Sequence, residues 1–269
     1  GVWWELNLAQ TVNLCAYHFT GDLPRYDRSR RDIIQSGRNR GDLYAQTMAG
    51  AMILPALAAD DPDAAEREVR DLVGRWSQSG FYVQHFYCMY SMIEIALYRG
   101  DGPAAWKLAV DHRRILAGSL LLRVQSLRIL CYDARTRSAL AAAAGAAEPE
   151  PLLRAAERCA KRMEGEKAPW AGSMAQLVFA CSAACRGDRE TGLRRLERAI
   201  EGFTKAAMVL HAAASRYRMG EFIGGDSGTA LRAEVRDWMT RQGVRNPDRM
   251  IAKIAPVPAG GGRRAKPAA

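Results

Sequence analysis

Apolar residues recur at three- and four-residue steps along most of the chain. Ala65, Val69, Leu72 and Trp76 form one stripe, and Ala105, Leu108, His112 and Ile115 another. Leu153, Ala156, Ala160 and Met163 follow, then Leu193, Leu196, Ile200 and Phe203, then Leu231, Val235, Trp238 and Met239. Each set falls on one face of an amphipathic helix. No stretch alternates apolar and polar residues between Asn-Gly-type turns, and about one residue in six is Ala, the best helix former. The pattern predicts an all-α chain.

The turns between these stripes are rich in Gly, Asp and Pro: Gly21-Asp22-Leu23-Pro24, Asp60-Asp61-Pro62, Gly100-Asp101-Gly102-Pro103, Glu148-Pro149, Gly187-Asp188 and Gly225-Asp226-Ser227. Gly supplies the left-handed residue that ends a helix, and Asp caps the next one. Pro is tolerated in a first turn because its missing N–H has no helical partner there. Taking Asp22, Asp61, Asp101, Glu148, Asp188 and Asp226 as markers, the spacings are 39, 40, 47, 40 and 38 residues. A helix–turn–helix unit recurring every 40 residues or so is the mark of a helical solenoid.

The chain therefore parses as a right-handed α-solenoid of about six helical hairpins. First helices are expected near 2–19, 41–58, 79–99, 119–146, 169–186 and 206–221, and second helices near 23–36, 62–77, 103–117, 150–164, 189–204 and 227–242. Small residues such as Ala49, Gly50 and Ala51 let neighbouring first helices approach closely. Asn246-Pro247 starts a short last helix with Met250, Ile251 and Ile254 on one side, expected to cap the final hairpin. The repeat domain is assigned to 1–255, and 256–269 is read as a disordered basic tail.

Composition adds little to this picture. The 269 residues carry 39 Lys+Arg and 29 Asp+Glu, a formal charge of +10, with 48% hydrophobic residues. That profile fits a folded, water-soluble chain and excludes collagen-like or disordered classes. The apolar runs are too short for a bilayer. Six cysteines sit mostly singly in apolar stretches, so they read as buried thiols of a cytoplasmic protein. The chain opens on Gly1-Val2-Trp3-Trp4 and reads as a fragment of a longer one.

Tyr98-Arg99-Gly100-Asp101 with Ala105-Trp106, the run Ser119 to Gln125, and the ending Trp238-Met239 with Gln242 to Met250 carry a family resemblance. With the turn spacing, they resemble degenerate tetratricopeptide-like repeats in the C-terminal region of large bacterial serine/threonine-protein kinases. The resemblance implies a kinase domain and an AAA-type ATPase module upstream of residue 1. It also implies a non-catalytic, regulatory role for this segment. The alternative is the sensor repeat region of a signal-transducing ATPase transcriptional regulator.

No kinase or phosphate-binding motif lies within the chain itself. Gly224-Gly225-Asp226-Ser227-Gly228 lacks the Lys and preceding strand of a nucleotide loop and reads as a turn. Catalytic, cofactor-binding and metal-binding residues are expected to be none, since the histidines His18, His85, His112 and His211 occupy four different helices. The arginines fall on polar helix faces, without the continuous basic face that nucleic acid needs. The partner expected is a protein or peptide, or the upstream domains of the same chain. The densest aromatic cluster places Tyr82, His85, Phe86 and Tyr90 on adjacent stripes of one helix. These four are the candidate protein-binding residues, on the concave side of the solenoid.

Overall fold

The computed structural model describes residues 3–257. The described residues are all-helical, without strands. Helices α1 (Trp3–Thr20), α2 (Leu23–Arg40), α3 (Leu43–Gly50), α4 (Leu54–Ala58) and α5 (Pro62–Arg75) form the first part. They are followed by α6 (Val83–Tyr98), α7 (Gly102–Asp111), α8 (Arg113–Gly118), a 3-10 turn at Leu120–Arg123 and α9 (Gln125–Ala143). The remainder is α10 (Glu150–Gly165), α11 (Pro169–Arg186), α12 (Arg189–Lys205), α13 (Val209–Ile223), α14 (Gly225–Arg241) and α15 (Pro247–Ile254). None of these helices is long and apolar enough to cross a membrane.

The caps explain most of the boundaries. The carboxylates of Asp22, Asp42, Asp61, Asp101 and Asp188 each accept from a backbone N–H three residues on. Gly21, Gly41, Gly100 and Gly187 precede four of them in the left-handed conformation. Two expected markers do not cap: α10 starts on Pro149 without a side-chain cap, and Asp226 lies inside the first turn of α14.

Two expected helices are broken. The segment expected as one helix over 41–58 divides into α3 and α4 because Pro55 lacks an N–H and its ring would meet the Ala51 carbonyl. That freed carbonyl accepts from the Ser91 hydroxyl of α6 instead, while Arg30 of α2 donates to the carbonyls of Ala49 and Gly50, both at 3.1 Å. Helix α7 stops at Asp111, and the segment up to Arg123 continues as α8 and the 3-10 turn, so α9 begins six residues later than the pattern suggested.

Helices pack in sequence-adjacent pairs, arranged in two layers. The first helices α1, α3, α6, α9 and α11 touch in succession, and α13 returns to pack against α1. The second helices lie outside them. Thus α5 sits on α3 and α6, α7 on α6 and α9, α10 on α9 and α11, and α12 on α11 and α13. Helix α15 caps the last pair, touching α13 and α14, and also crosses to α6. Pro256 is buried and Val257 packs on the core, so these two residues of the expected tail are held by the fold. The rest of that tail, 258–269, lies outside the described residues.

Candidate functional site

The inner face of the stack is filled rather than open. Helix α15 lies there with Met250, Ile251 and Ile254 buried, as its one-sided apolar pattern requires. Its other anchors are polar. The backbone N–H of Arg245 donates to Ala58 O at 2.8 Å, and Arg249 pairs with Asp60 at 3.1 Å. Asp60 is a non-glycine residue in the left-handed conformation, and its carboxylate also accepts from Tyr98 Oη at 2.8 Å.

Deeper in, four charged side chains from three helices meet. Arg137 of α9 contacts Asp133 Oδ2 and Glu94 Oε1, each at 2.5 Å, and donates to Tyr90 Oη at 3.0 Å. Lys253 of α15 donates to the other Glu94 oxygen, and its own carbonyl accepts from Arg137. Both charges of each sign are almost fully buried, and they balance. Burial pushes the Glu94 carboxyl up, but Arg137 and Lys253 outweigh it and hold the group well below the ordinary carboxylate range.

Small cavities line this cluster. One of about 50 Å³ is bordered by Cys15, His18, Tyr26, Tyr87, Tyr90 and Glu94. Two of about 10 Å³ continue from it past Lys253, Arg137 and His211. The volume corresponds to a few waters and not to a drug-sized ligand. Burial lowers His18 to about 4, helped by Lys253 and Arg137, and takes His211 well below its ordinary value. Both rings are therefore neutral near pH 7. The thiols are pushed up by burial, Cys88 and Cys181 each to about 12, which leaves them protonated and poor nucleophiles. Among the described residues no three His, Cys, Asp or Glu side chains gather to hold a metal ion.

The four aromatic-cluster candidates go to four different places. Tyr90 belongs to the inner ionic cluster through Arg137. Phe86 is fully buried between α6 and its neighbours, stacked on Tyr90. Tyr82 is 42% exposed, one residue ahead of α6, with its hydroxyl on Ser79 Oγ. His85 is stacked against Phe81 at a centroid distance of 5.7 Å and lines a groove between α5, α6 and α7. The cluster is therefore no single surface, and the inner face it was assigned to is covered by α15. The charged quartet was missed because its members look like ordinary helix-surface residues in sequence. The one available hint was Lys253 within the apolar stripe of α15.

The outer layer carries the open grooves. Consecutive second helices leave a channel floored by the first helix between them. One such channel, between α12, α13 and α14, holds about 530 Å³ and is lined by Ile200, Val209, Ala213, Val235 and Trp238. The groove beside His85 occupies the equivalent place between α5 and α7, floored by α6. No protein-family model, curated protein or solved structure matches the chain.

Proposed function

We propose that this chain is a non-catalytic helical-repeat scaffold that makes regulatory protein contacts, within a bacterial serine/threonine kinase–ATPase signalling protein. The finer reading is a right-handed α-solenoid of six hairpins working in the cytoplasm. The observation that carries the scaffold reading is the pair of equivalent apolar grooves on the outer layer, each floored by a first helix. Concave pockets of this size, partly apolar and flanked by charged side chains, are where protein anchors seat. The kinase association rests on the Tyr98–Trp106, Ser119–Gln125 and Trp238–Met250 resemblance. With α15 and the ionic cluster filling the inner face, the contact surface is the outer one.

The test is photo-crosslinking in the full gene product, with p-benzoylphenylalanine placed at Thr204 in one groove and at Arg70 in the other. Crosslinks from either position to a kinase or ATPase module are expected. Crosslinks confined to residues of this same segment would overturn the scaffold reading.

A further inference from the structure

Another outer channel runs between α7 and α10, floored by α9, and it differs from the two apolar ones in charge. Arg135 of α9 stands on its floor, with its guanidinium 5.6 Å from the centre of the Trp106 ring of α7. Arg162 of α10 lies 5.9 Å from the centre of the Tyr132 ring of α9. Burial pushes the Cys159 thiol of α10 up, and Arg135, Arg162 and Arg158 pull against it. Three guanidiniums from two helices therefore gather around one point.

No carboxylate among the described residues neutralises them. None of the three makes a hydrogen bond or an ion pair there. The carboxylates of these helices are engaged elsewhere: Asp111 with Lys107, Asp133 with Arg137, Glu150 and Glu157 with Arg186, and Glu164 with Gln176. Glu166, just past α10, is held by Arg128. Arg158 and Arg162 are exposed, but Arg135 is partly buried, and its Nε is shut off from solvent without a partner. Its terminal nitrogens are not closed off in this way. Every other partly or fully buried arginine among the described residues bonds an acceptor, as Arg30 does Glu68 and Arg218 the Ala255 carbonyl. Arginine is seldom buried without such a partner.

The missing counter-ion has a definite chemistry. A carboxylate brings one charge and two oxygens, enough for one bidentate arginine. A phosphate monoester brings nearly two charges near pH 7 and three acceptor oxygens, which suits three guanidiniums. Aromatic rings already hold two of the three, so less side-chain freedom is lost on binding. The channel wall beside them has apolar surface, with Val110 one turn from Trp106 and 39% exposed. That surface suits the residues flanking a phosphorylated side chain. A nucleic-acid strand needs a basic path that continues, whereas the next arginines on either side are already bridged, Arg128 to Glu166 and Arg186 to Glu150 and Glu157.

We propose that the α7–α9–α10 channel binds a peptide segment bearing phosphoserine or phosphothreonine, its phosphate held by Arg135, Arg158 and Arg162 and a neighbouring apolar residue resting on Val110. This rests on the scaffold reading and names the partner chemistry of one outer channel.

Fluorescence anisotropy on the full chain tests it, with the labelled probe Gly-Ala-Val-phosphoSer-Val-Ala-Gly. The phosphorylated probe is expected to bind about tenfold tighter than its Ser and Glu forms. Arg158→Gln with Arg162→Gln changes only exposed side chains, and it is expected to weaken the probe about tenfold and flatten its salt dependence. Arg135→Met leaves no partner unpaired, so it is expected to weaken the probe to a similar extent without lowering the urea midpoint. The control Arg28→Gln with Arg38→Gln removes the same charge from exposed sites on α2 and is expected to leave binding unchanged. Equal binding of the phosphorylated and Ser probes, or equal losses in the control and the α10 variant, would overturn the proposal. So would displacement of the probe by oligothymidylate or inorganic phosphate at a lower concentration than by unlabelled peptide. Loss of probe binding alongside a persisting Thr204 or Arg70 crosslink would discard this site and keep the scaffold reading. Absence of both would discard the two together.

Discussion

Lys253 and Glu94 lie 159 positions apart in the chain and end as a buried ion pair. Removing one partner leaves the other charge uncompensated in a low-dielectric setting, at about 3 kcal/mol. Lys253→Met is therefore expected to lower the urea midpoint sharply. Adding Glu94→Gln restores part of the loss, because Arg137 then faces Asp133 alone. An additive double variant would show that the two groups do not act as a pair. The histidines set the acid limit. His18 titrates at about 4 in the fold, against roughly 6.5 in an unfolded chain. The unfolded chain binds the proton first, so stability falls as pH drops from about 6.5 towards 4, by up to about 3 kcal/mol. Glu94, held low, keeps its contribution down to the ordinary glutamate value of about 4.3 and loses it progressively as pH falls below that. Thermal melting of wild type, His18→Gln and the double variant with His211→Gln between pH 7 and pH 4 checks this: the single variant is expected to lose part of the upper decline, and the double variant more of it, because burial holds His211 low as well.

At the scale of elements, close helix approach depends on single glycines. A Cβ at Gly102 would stand 2.4 Å from the Ala141 carbonyl carbon and oxygen, so α7 presses its first turn on the α9 backbone. Gly102→Ala must push the two helices apart, and about 2 kcal/mol of stability is expected to go. Gly172, inside α11, has nothing within 4 Å of its would-be Cβ. Gly172→Ala is expected to gain about 0.5–1 kcal/mol from helix propensity alone. Chemical denaturation of the two variants side by side checks the contrast. The start of α5, α7 and α12 was legible in sequence because the capping bond is local: the Asp and the N–H it accepts from lie three positions apart. The division of 41–58 was also local in cause, since Pro55 disturbs the carbonyl four residues back. The small apolar residues around it masked that signal.

For the whole molecule, the contact of α1 with α13 and the crossing of α15 to α6 turn a row of hairpins into a stack whose inner face is closed. A chain ending at Val244 would uncover Glu94, Arg137 and the apolar lining around them. Amide exchange in α6 and α9 is expected to accelerate, and the dye ANS to bind. Unchanged protection in α6 would show that α15 is not what closes the inner face. The open surface of the intact molecule is the outer layer, and its grooves exist because each second helix rests on two first helices rather than on the next second helix.

Apolar periodicity and the Gly-Asp turns determine the helices, their order and their pairing, because caps and amphipathic stripes act over three to five residues. Periodicity also marked His85 and its aromatic neighbours as unusual. It did not show that Tyr90 turns inward to Arg137 while His85 faces an outer groove, since residues five apart on a helix diverge according to what packs on each side. The burial of Lys253 against Glu94 and the filling of the inner face by α15 belong to the tertiary structure. Those depend on contacts between residues tens to more than a hundred positions apart, where pairing is settled by how the stack closes and not by any local pattern.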